Sequence, residues 1–159
     1  NFEKLIYTAW GRHFITAFEI FIQNPYLGTG LKSFRYECGK KKYSFDNLNK
    51  KYNLSLDYKK GVGCSTHPHN FYFEILAELG IFGFIIFGYL IYLIVFRNYL
   101  RNKNLLKDKA STIFIMSVII SILFPFRPTG SFSSTVYMTN LWFFIGFYLY
   151  FVKETESNK

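Results

Sequence analysis

Three long runs of uncharged, mostly apolar residues limit what this chain can fold into: residues 79–96, 110–126 and 128–152. A bilayer core about 30 Å thick needs about 20 apolar residues per helix. We therefore expect an all-α membrane fold with three transmembrane helices, at about 71–96, 110–126 and 133–152. None of the runs is N-terminal, so none is typical of a signal peptide.

The remaining sequence is basic and is segregated from the apolar runs. The chain carries a formal charge of +9 although its mean hydropathy is +0.11. Residues 32–66 hold nine Lys/Arg against three acids, with short Tyr, Phe and Leu islands that favour a structured extramembrane loop. No nucleic-acid motif accompanies this loop, so we expect it to face solvent or lipid headgroups and not a nucleic acid.

Residues 3–23 have the period of an amphipathic helix. At about 100° per residue, one arc holds the polar side chains Lys4, Thr8, Arg12, Thr16, Glu19 and Gln23. Such a helix lies on a membrane surface or packs against other helices, because it is too polar to span a bilayer alone. Asn24-Pro25 ends the helix. The chain starts at Asn1, inside this pattern, and we expect it to be part of a longer protein.

The charge of the loops predicts an orientation in the cytoplasmic membrane. Residues 97–109 carry five Lys/Arg and one Asp between two apolar runs, which favours the cytoplasmic side. Residues 1–70 then form a large periplasmic loop region, and residues 71–159 form the transmembrane part. Long translocated segments escape the positive-inside rule, so the basic stretch does not contradict this orientation.

Two cysteines, Cys38 and Cys64, flank the basic loop. In an oxidising periplasm they could close it as a disulfide worth roughly 3.5 kcal/mol in the chain-entropy model. Two unrelated thiols are the alternative. A zinc site built from both cysteines with His67 and His69 is a further alternative, but Cys-x2-His-x-His is an unusual zinc spacing. We therefore expect no metal.

The densest candidate site runs from His67 to Glu78. His67 and His69 precede Asn70, which is a good helix N-cap, and a helix is predicted from Phe71 to about Phe96. On that helix Asn70, Glu74 and Glu78 share one face. Imidazole suits proton transfer near neutral pH. The alternative is that the histidines are ordinary interfacial residues and the glutamates stabilise the helix N-terminus.

Three arginines are candidate phosphate ligands: Arg12 on the amphipathic helix, Arg35 after the Gly28-Thr29-Gly30 turn, and Arg127 in the second external loop. A guanidinium binds phosphate in a bidentate manner, and a diphosphate offers places for two of them. The alternative is that they are solvated surface residues or, for Arg127, a headgroup anchor.

The order and spacing of several short motifs resemble those of the O-antigen ligase/polymerase family. Arg12, the run NPYLGTG at 24–30 and Phe34 are similar to its arginine and P-x-x-G-x-G pattern. HPHNFYFE at 67–74 and ELGIFG at 78–83 are similar to its H-N-x-x-L and E-x-G-x-x-G motifs. Its closing segment is matched by Phe124-Pro125, Gly130-Ser131-Phe132 and Trp142. The matches span nearly the whole chain.

The resemblance implies a polytopic inner-membrane glycosyltransferase that needs no cofactor or metal and works with inversion. Its donor would be a glycan linked to undecaprenyl diphosphate, and its acceptor lipid A-core or another glycan. By this resemblance, His69 corresponds to the family's catalytic residue. Arg12 corresponds to an arginine that is expected to bind the diphosphate. Arg35, His67, Asn70, Glu78 and Arg127 become candidate substrate-binding residues. The family's early helices and its other arginine-bearing loop are missing here, so we expect this chain to be inactive alone.

Other functions stay open at this point. A polymerase of the same family would use a second lipid-linked glycan as acceptor, and the motifs do not separate it from a ligase. The chain could instead be part of a membrane transporter with a polar vestibule, although transporters favour broken helices or charges at mid-membrane, and we predict neither in residues 79–96. A subunit that only binds anionic lipid through the basic loop is a third alternative.

Overall fold

A computed structural model describes residues 8–53, 63–106, 110–125 and 128–157. These residues form helices and turns without a strand, which confirms the expected all-α class. The α-helices are α1 (Ala9–Gln23), α2 (Phe34–Glu37), α3 (Phe45–Tyr52), α4 (Phe71–Ile91), α5 (Asn98–Leu106), α6 (Ala110–Ile122) and α7 (Thr135–Ser157). A 3₁₀ turn at Lys41–Tyr43 precedes α3, and a π-helical segment at Tyr92–Arg97 follows α4.

The chain forms two compact units, Asn1–Ile85 with Arg127–Ser134, and Ile86–Phe126 with Thr135–Lys159. In the first unit, Thr8 caps α1 by accepting a hydrogen bond from the Gly11 N–H at 3.1 Å. The amphipathic period predicted for this helix is present. Its polar side, including Thr16 and Glu19, is covered by the rest of the unit, whereas apolar side chains such as Phe18 are exposed.

Contacts at Glu19 and Gln23 attach the basic loop to α1. The buried carboxylate of Glu19 pairs with the Lys51 ammonium at 2.7 Å and also accepts a hydrogen bond from the Tyr52 hydroxyl. Both partners lie at the end of α3. A buried carboxylate needs such partners because an unpaired charge away from water is very costly. The predicted loop is therefore helical in part and folded back on α1.

Helix α4 is broken at Gly80, where φ is 66° and ψ is −166°. This combination is essentially restricted to glycine, because a Cβ would clash with the backbone. The prediction of an unbroken helix from Phe71 to about Phe96 is therefore wrong. The same helix changes to π-helical geometry at Tyr92–Arg97, where the last apolar turns lead into the basic segment.

The turn at residues 25–30 binds the broken part of α4 through backbone hydrogen bonds. The carbonyls of Ala77 and Glu78 accept from the N–H groups of residues 29 and 30 at 3.1 and 2.8 Å. The N–H groups of Ile81 and Phe82 donate to the carbonyls of residues 25 and 26 at 2.8 and 3.3 Å. In an unbroken helix these four groups would pair with each other. The turn thus satisfies the groups that the break sets free.

The second unit packs α6, α7 and the end of α4 around one apolar core. Fully buried residues include Val95, Ile119, Leu141 and Tyr148. The Tyr148 hydroxyl donates to the Val95 carbonyl at 2.9 Å, so its polar end is satisfied inside the core.

Two of the three predicted spans are long and apolar enough to cross a membrane, Phe71–Asn102 and Thr135–Ser157. The third, α6, has 13 described residues, fewer than a span needs. Its helix ends at Ile122 and not at residue 126, because the residue before Pro125 is disfavoured in helical geometry. The Tyr137 hydroxyl donates to the freed Ile122 carbonyl at 2.8 Å.

Candidate functional site

The segment that precedes α4 crosses the polar side of α1 at very short range. A Cβ built on Gly63 would lie 2.6 Å from the Thr16 hydroxyl and 2.9 Å from the Arg12 carbonyl. Only glycine permits this approach. Because residues 63–70 follow this path, the histidines near its end are brought to the first turns of α1.

Three imidazole rings and one indole ring meet at this crossing. The ring centroid of His69 lies 4.3 Å from that of His67 and 5.1 Å from that of His13. Trp10 meets His69 edge-on, with centroids 4.9 Å apart. His13 is buried, His67 and His69 are partly open, and Trp10 is 40% exposed. The cluster therefore has a closed side on α1 and an open side at His69.

All three histidines have a pKa below the ordinary value near 6.5, chiefly because burial disfavours the charged ring. Neighbouring charges lower each pKa further. Arg35 acts on His67, and Arg12 acts on His13. Among the rings, a protonated neighbour lowers the pKa of the next: His67 that of His69, His13 that of His67, and His69 that of His13. Hydrogen bonds to the Gly63 backbone raise the pKa of His13, but burial prevails. The cluster therefore holds neutral imidazoles at pH 7, the form that accepts a proton.

His69 has a left-handed backbone, with φ of 57°. This region costs an ordinary side chain about 1–2 kcal/mol, so surrounding contacts must hold it. The Thr129 N–H donates to the His69 carbonyl at 2.8 Å, and the Phe71 N–H donates to the Thr129 hydroxyl at 2.8 Å. Thr129 thus binds the chain on both sides of residue 70.

Asn70 is the N-cap of α4, as predicted. Its side-chain oxygen accepts from the N–H groups of Tyr72 and Phe73 at 3.0 and 3.3 Å. These are two of the donors that the first turn of a helix leaves unpaired. The substrate-binding role of Asn70 stays a prediction; in this structure its oxygen is used by the helix.

Glu74 and Glu78 each bind a loop through backbone N–H groups. Glu74 accepts from the Ser131 hydroxyl at 2.5 Å and from the Phe132 N–H at 2.6 Å. Glu78, which is 1% exposed, accepts from the N–H groups of Lys32 and Phe34 at 2.7 and 3.1 Å. The shared helix face predicted for these residues thus organises two loops. The role proposed for Glu78 at an imidazole or sugar hydroxyl stays a prediction.

Two of the three candidate arginines lower the pKa of a histidine through their charge. Arg12 is 4% exposed, and its Nε donates to the Thr8 carbonyl at 3.4 Å. Its charge acts on His13. Arg35 is exposed on α2, and its charge acts on His67. Arg127 lies outside the described residues.

Cys38 and Cys64 are joined in a disulfide, with their Cα atoms 5.1 Å apart. The bond ties the end of α2 to the start of the histidine-bearing segment. The zinc alternative needs both thiolates as ligands, and a disulfide offers none. Within the described ranges, no group of three or more His, Cys, Asp or Glu has a geometry that could hold a metal ion.

Three residues of this site were missed by sequence reasoning: Trp10, His13 and Thr129. Trp10 lies outside the polar arc of the amphipathic helix, where the sequence pattern indicates a packing or lipid-facing residue. His13 could have been identified as a candidate from the sequence, because it directly follows Arg12, a candidate phosphate ligand. Thr129 carried no signal, because its partners are about 60 residues away in the sequence.

Comparison with protein families shows that residues 11–88 match the family described as O-antigen ligase. The matched region contains most of α1, the disulfide-bridged loop, all three histidines and most of α4. Comparisons with curated proteins and with solved structures give no significant match.

Proposed function

Because residues 11–88 of this chain match the O-antigen ligase family, we propose that it is the C-terminal part of an inner-membrane glycosyltransferase of the ligase type. The donor is a glycan on undecaprenyl diphosphate, and the acceptor is lipid A-core or another glycan. The observation that supports the proposal is the cluster of the three imidazole rings of His13, His67 and His69. The motif resemblance implies that His69 takes the family's catalytic position.

In the proposed reaction, neutral His69 accepts the proton of the acceptor hydroxyl. The hydroxyl oxygen attacks the anomeric carbon from the face opposite the leaving group, and a new C–O bond forms with inversion. The bond between the anomeric carbon and the diphosphate oxygen breaks, and its electron pair leaves with the diphosphate. The proton stays on His69 until it is released to solvent.

Arg12 and Arg35 would stabilise the charge that develops on the diphosphate. Arg12 is a nearly buried cation beside the histidines, a setting in which a fixed charge acts more strongly than in water. Arg35 is exposed on the same unit and is able to meet a ligand directly. Arg127 is proposed as a third ligand on its sequence position alone.

The proposed orientation places residues 1–70 in the periplasm and residues 97–109 with the C-terminus in the cytoplasm. The family match supports membrane association, and two helices have the length and apolarity of a span. The exposed apolar side chains of α1 and α4, such as Phe18, Phe82 and Ile86, are suited to lipid or to the other helices of the protein.

The broken helix removes one sequence argument against a transporter, since transporters use helix breaks to bind substrates. In transporters, the freed backbone groups face the ligand. Here the carbonyls of Ala77 and Glu78 and the N–H groups of Ile81 and Phe82 are bonded to the turn at residues 25–30. The break at Gly80 is therefore used to dock a loop, which favours the transferase.

The test is a substitution at His69 in the full-length enzyme. His69→Asn is preferable to His69→Ala, because asparagine tolerates the left-handed backbone and so removes the imidazole with the least strain. We expect glycan transfer, normalised to folded protein in the membrane, to fall roughly 10²–10⁴-fold. Donor binding should persist, since the imidazole acts on the acceptor.

His67→Ala is the matched control, because it removes the neighbouring ring and we expect a milder loss. Normal specific activity of His69→Asn would overturn the mechanism. The acceptor is identified in the same assay: transfer to purified lipid A-core supports a ligase, whereas lengthening of a lipid-linked glycan supports a polymerase.

A further inference from the structure

Thr129 contacts the histidine segment at three places. Its N–H donates to the His69 carbonyl and its hydroxyl accepts from the Phe71 N–H, both at 2.8 Å. Its backbone is also hydrogen-bonded to the His67 ring, which raises the pKa of that ring against the larger effect of burial. Thr129 itself is 7% exposed. A single residue therefore holds both partly open histidines and the first residue of α4.

The loop that carries Thr129 is itself fixed to α4. Glu74 binds the Ser131 hydroxyl and the Phe132 N–H, and the hydroxyl groups of Ser131 and Ser133 lie 3.0 Å apart. Glu74 is 1% exposed, so water competes little for these bonds. This explains the position of Glu74 on the predicted helix face: Glu74 anchors the loop that reaches His69.

We propose that Thr129 is the positioning residue of His69, an inference that rests on the proposed function of His69 as the base. The left-handed backbone of His69 is costly and persists only if neighbouring contacts determine it. Thr129 supplies those contacts on the carbonyl side of His69 and at the start of α4. A shift of about 1 Å in a reacting group can cost about 100-fold in rate, so a misplaced His69 would be seen in catalysis.

The experiment compares Thr129→Val with Thr129→Ser in the full-length enzyme. Valine has nearly the same shape but lacks the hydroxyl that accepts from Phe71, whereas serine keeps it. We expect valine to lower normalised glycan transfer by about 10- to 100-fold and serine to stay within about 3-fold. Thr112→Val, at a buried threonine of the second unit, is the control and should be near neutral.

A positioning role also predicts that the two sites are coupled. In a His69→Asn background, Thr129→Val should cause no further loss, because the group that it positions is gone. An equal loss in both backgrounds would show that Thr129 acts independently of His69 and would overturn the proposal.

A chemical readout separates this inference from the proposed function. Diethyl pyrocarbonate modifies neutral imidazoles, and mass spectrometry gives the rate at each histidine. We expect Thr129→Val to change the rate at His69 several-fold, with Thr129→Ser near the parent. Equal rates at His69 in all three proteins would overturn the positioning role. If Thr129→Val changes the modification rate at His69 but His69→Asn is fully active, Thr129 still positions His69. His69 is then not the base.

Discussion

A Cβ added to Gly80 would lie 2.7 Å from the backbone nitrogen of Gly28. Both glycines have a positive φ, 66° and 67°, and each faces the backbone of the other's segment at a distance no side chain permits. Two motifs about 50 residues apart in the sequence thus form one interlocked structure, in which a turn is docked into a broken helix.

The first prediction concerns this contact. Gly80→Ala should destabilise the protein by at least about 1–2 kcal/mol from backbone strain alone, because an alanine must adopt the left-handed region. The clash with the Tyr26 carbonyl, 2.3 Å from the added Cβ, increases the loss. Gly88→Ala is the matched control, since nothing lies within 4 Å of its added Cβ.

The measurement is the thermal unfolding midpoint of detergent-purified full-length protein, supported by its abundance in the membrane. Gly88→Ala should leave both unchanged or slightly raised, because alanine favours helix. Equal midpoints for the two variants would show that the turn is not docked at the break.

Arg12 provides the second prediction. Arg12→Ala should lower normalised transfer by about 10²-fold or more, the usual effect of losing a group that stabilises developing charge. Arg12→Lys keeps the positive charge but not the planar guanidinium, so we expect only partial recovery. Arg101→Ala, at an exposed arginine of α5, is the control. Full activity of Arg12→Ala at normal abundance would exclude a role of this charge in the reaction.

The third prediction is the pH dependence of kcat/KM. The pKa of His69 is lowered, mainly by burial and then by the charge of His67. A base must be neutral, so activity should be constant above about pH 6.5 and fall only below it, as His69 is protonated. In His67→Ala the fall should begin at higher pH, because one cause of the lowered pKa is gone.

The measurement is a pH profile of kcat/KM for the parent and His67→Ala, with folded protein confirmed at each pH. Acidification should also lower the free energy of unfolding. The folded state prefers neutral rings, so protonation below about pH 6.5 favours the unfolded chain. An activity that rises on acidification would contradict a neutral base.

The fourth prediction joins the disulfide to the orientation. A Cys38–Cys64 bond forms and persists only if its loop faces an oxidising compartment. Protein isolated from the membrane with free thiols blocked should yield the linked peptide by non-reducing mass spectrometry. The Cys38→Ser/Cys64→Ser double variant should be less stable by about 2–4 kcal/mol. Two blocked free thiols instead would contradict the periplasmic placement of residues 1–70.

Local sequence features predicted much of the fold. The apolar runs predicted helices at about 71–96 and 133–152, where the structure has the longer helical segments Phe71–Asn102 and Thr135–Ser157, and the polar-to-apolar period predicted α1. Asn70 was predicted as an N-cap because its partners lie two and three residues along the chain. Each of these depends on interactions between near neighbours, which a sequence displays directly.

The sequence by itself determined the helical class, the start of α4 and two of the histidines. Only the tertiary structure decided which side of α1 is covered, that α4 breaks at Gly80, and that His13 and Thr129 meet His69. The reason is physical. A glycine permits a break but does not require one; the break is stabilised when the distant turn at 25–30 pairs the freed backbone groups. Such long-range pairing is set by the packing of the whole unit and leaves no local period in the sequence.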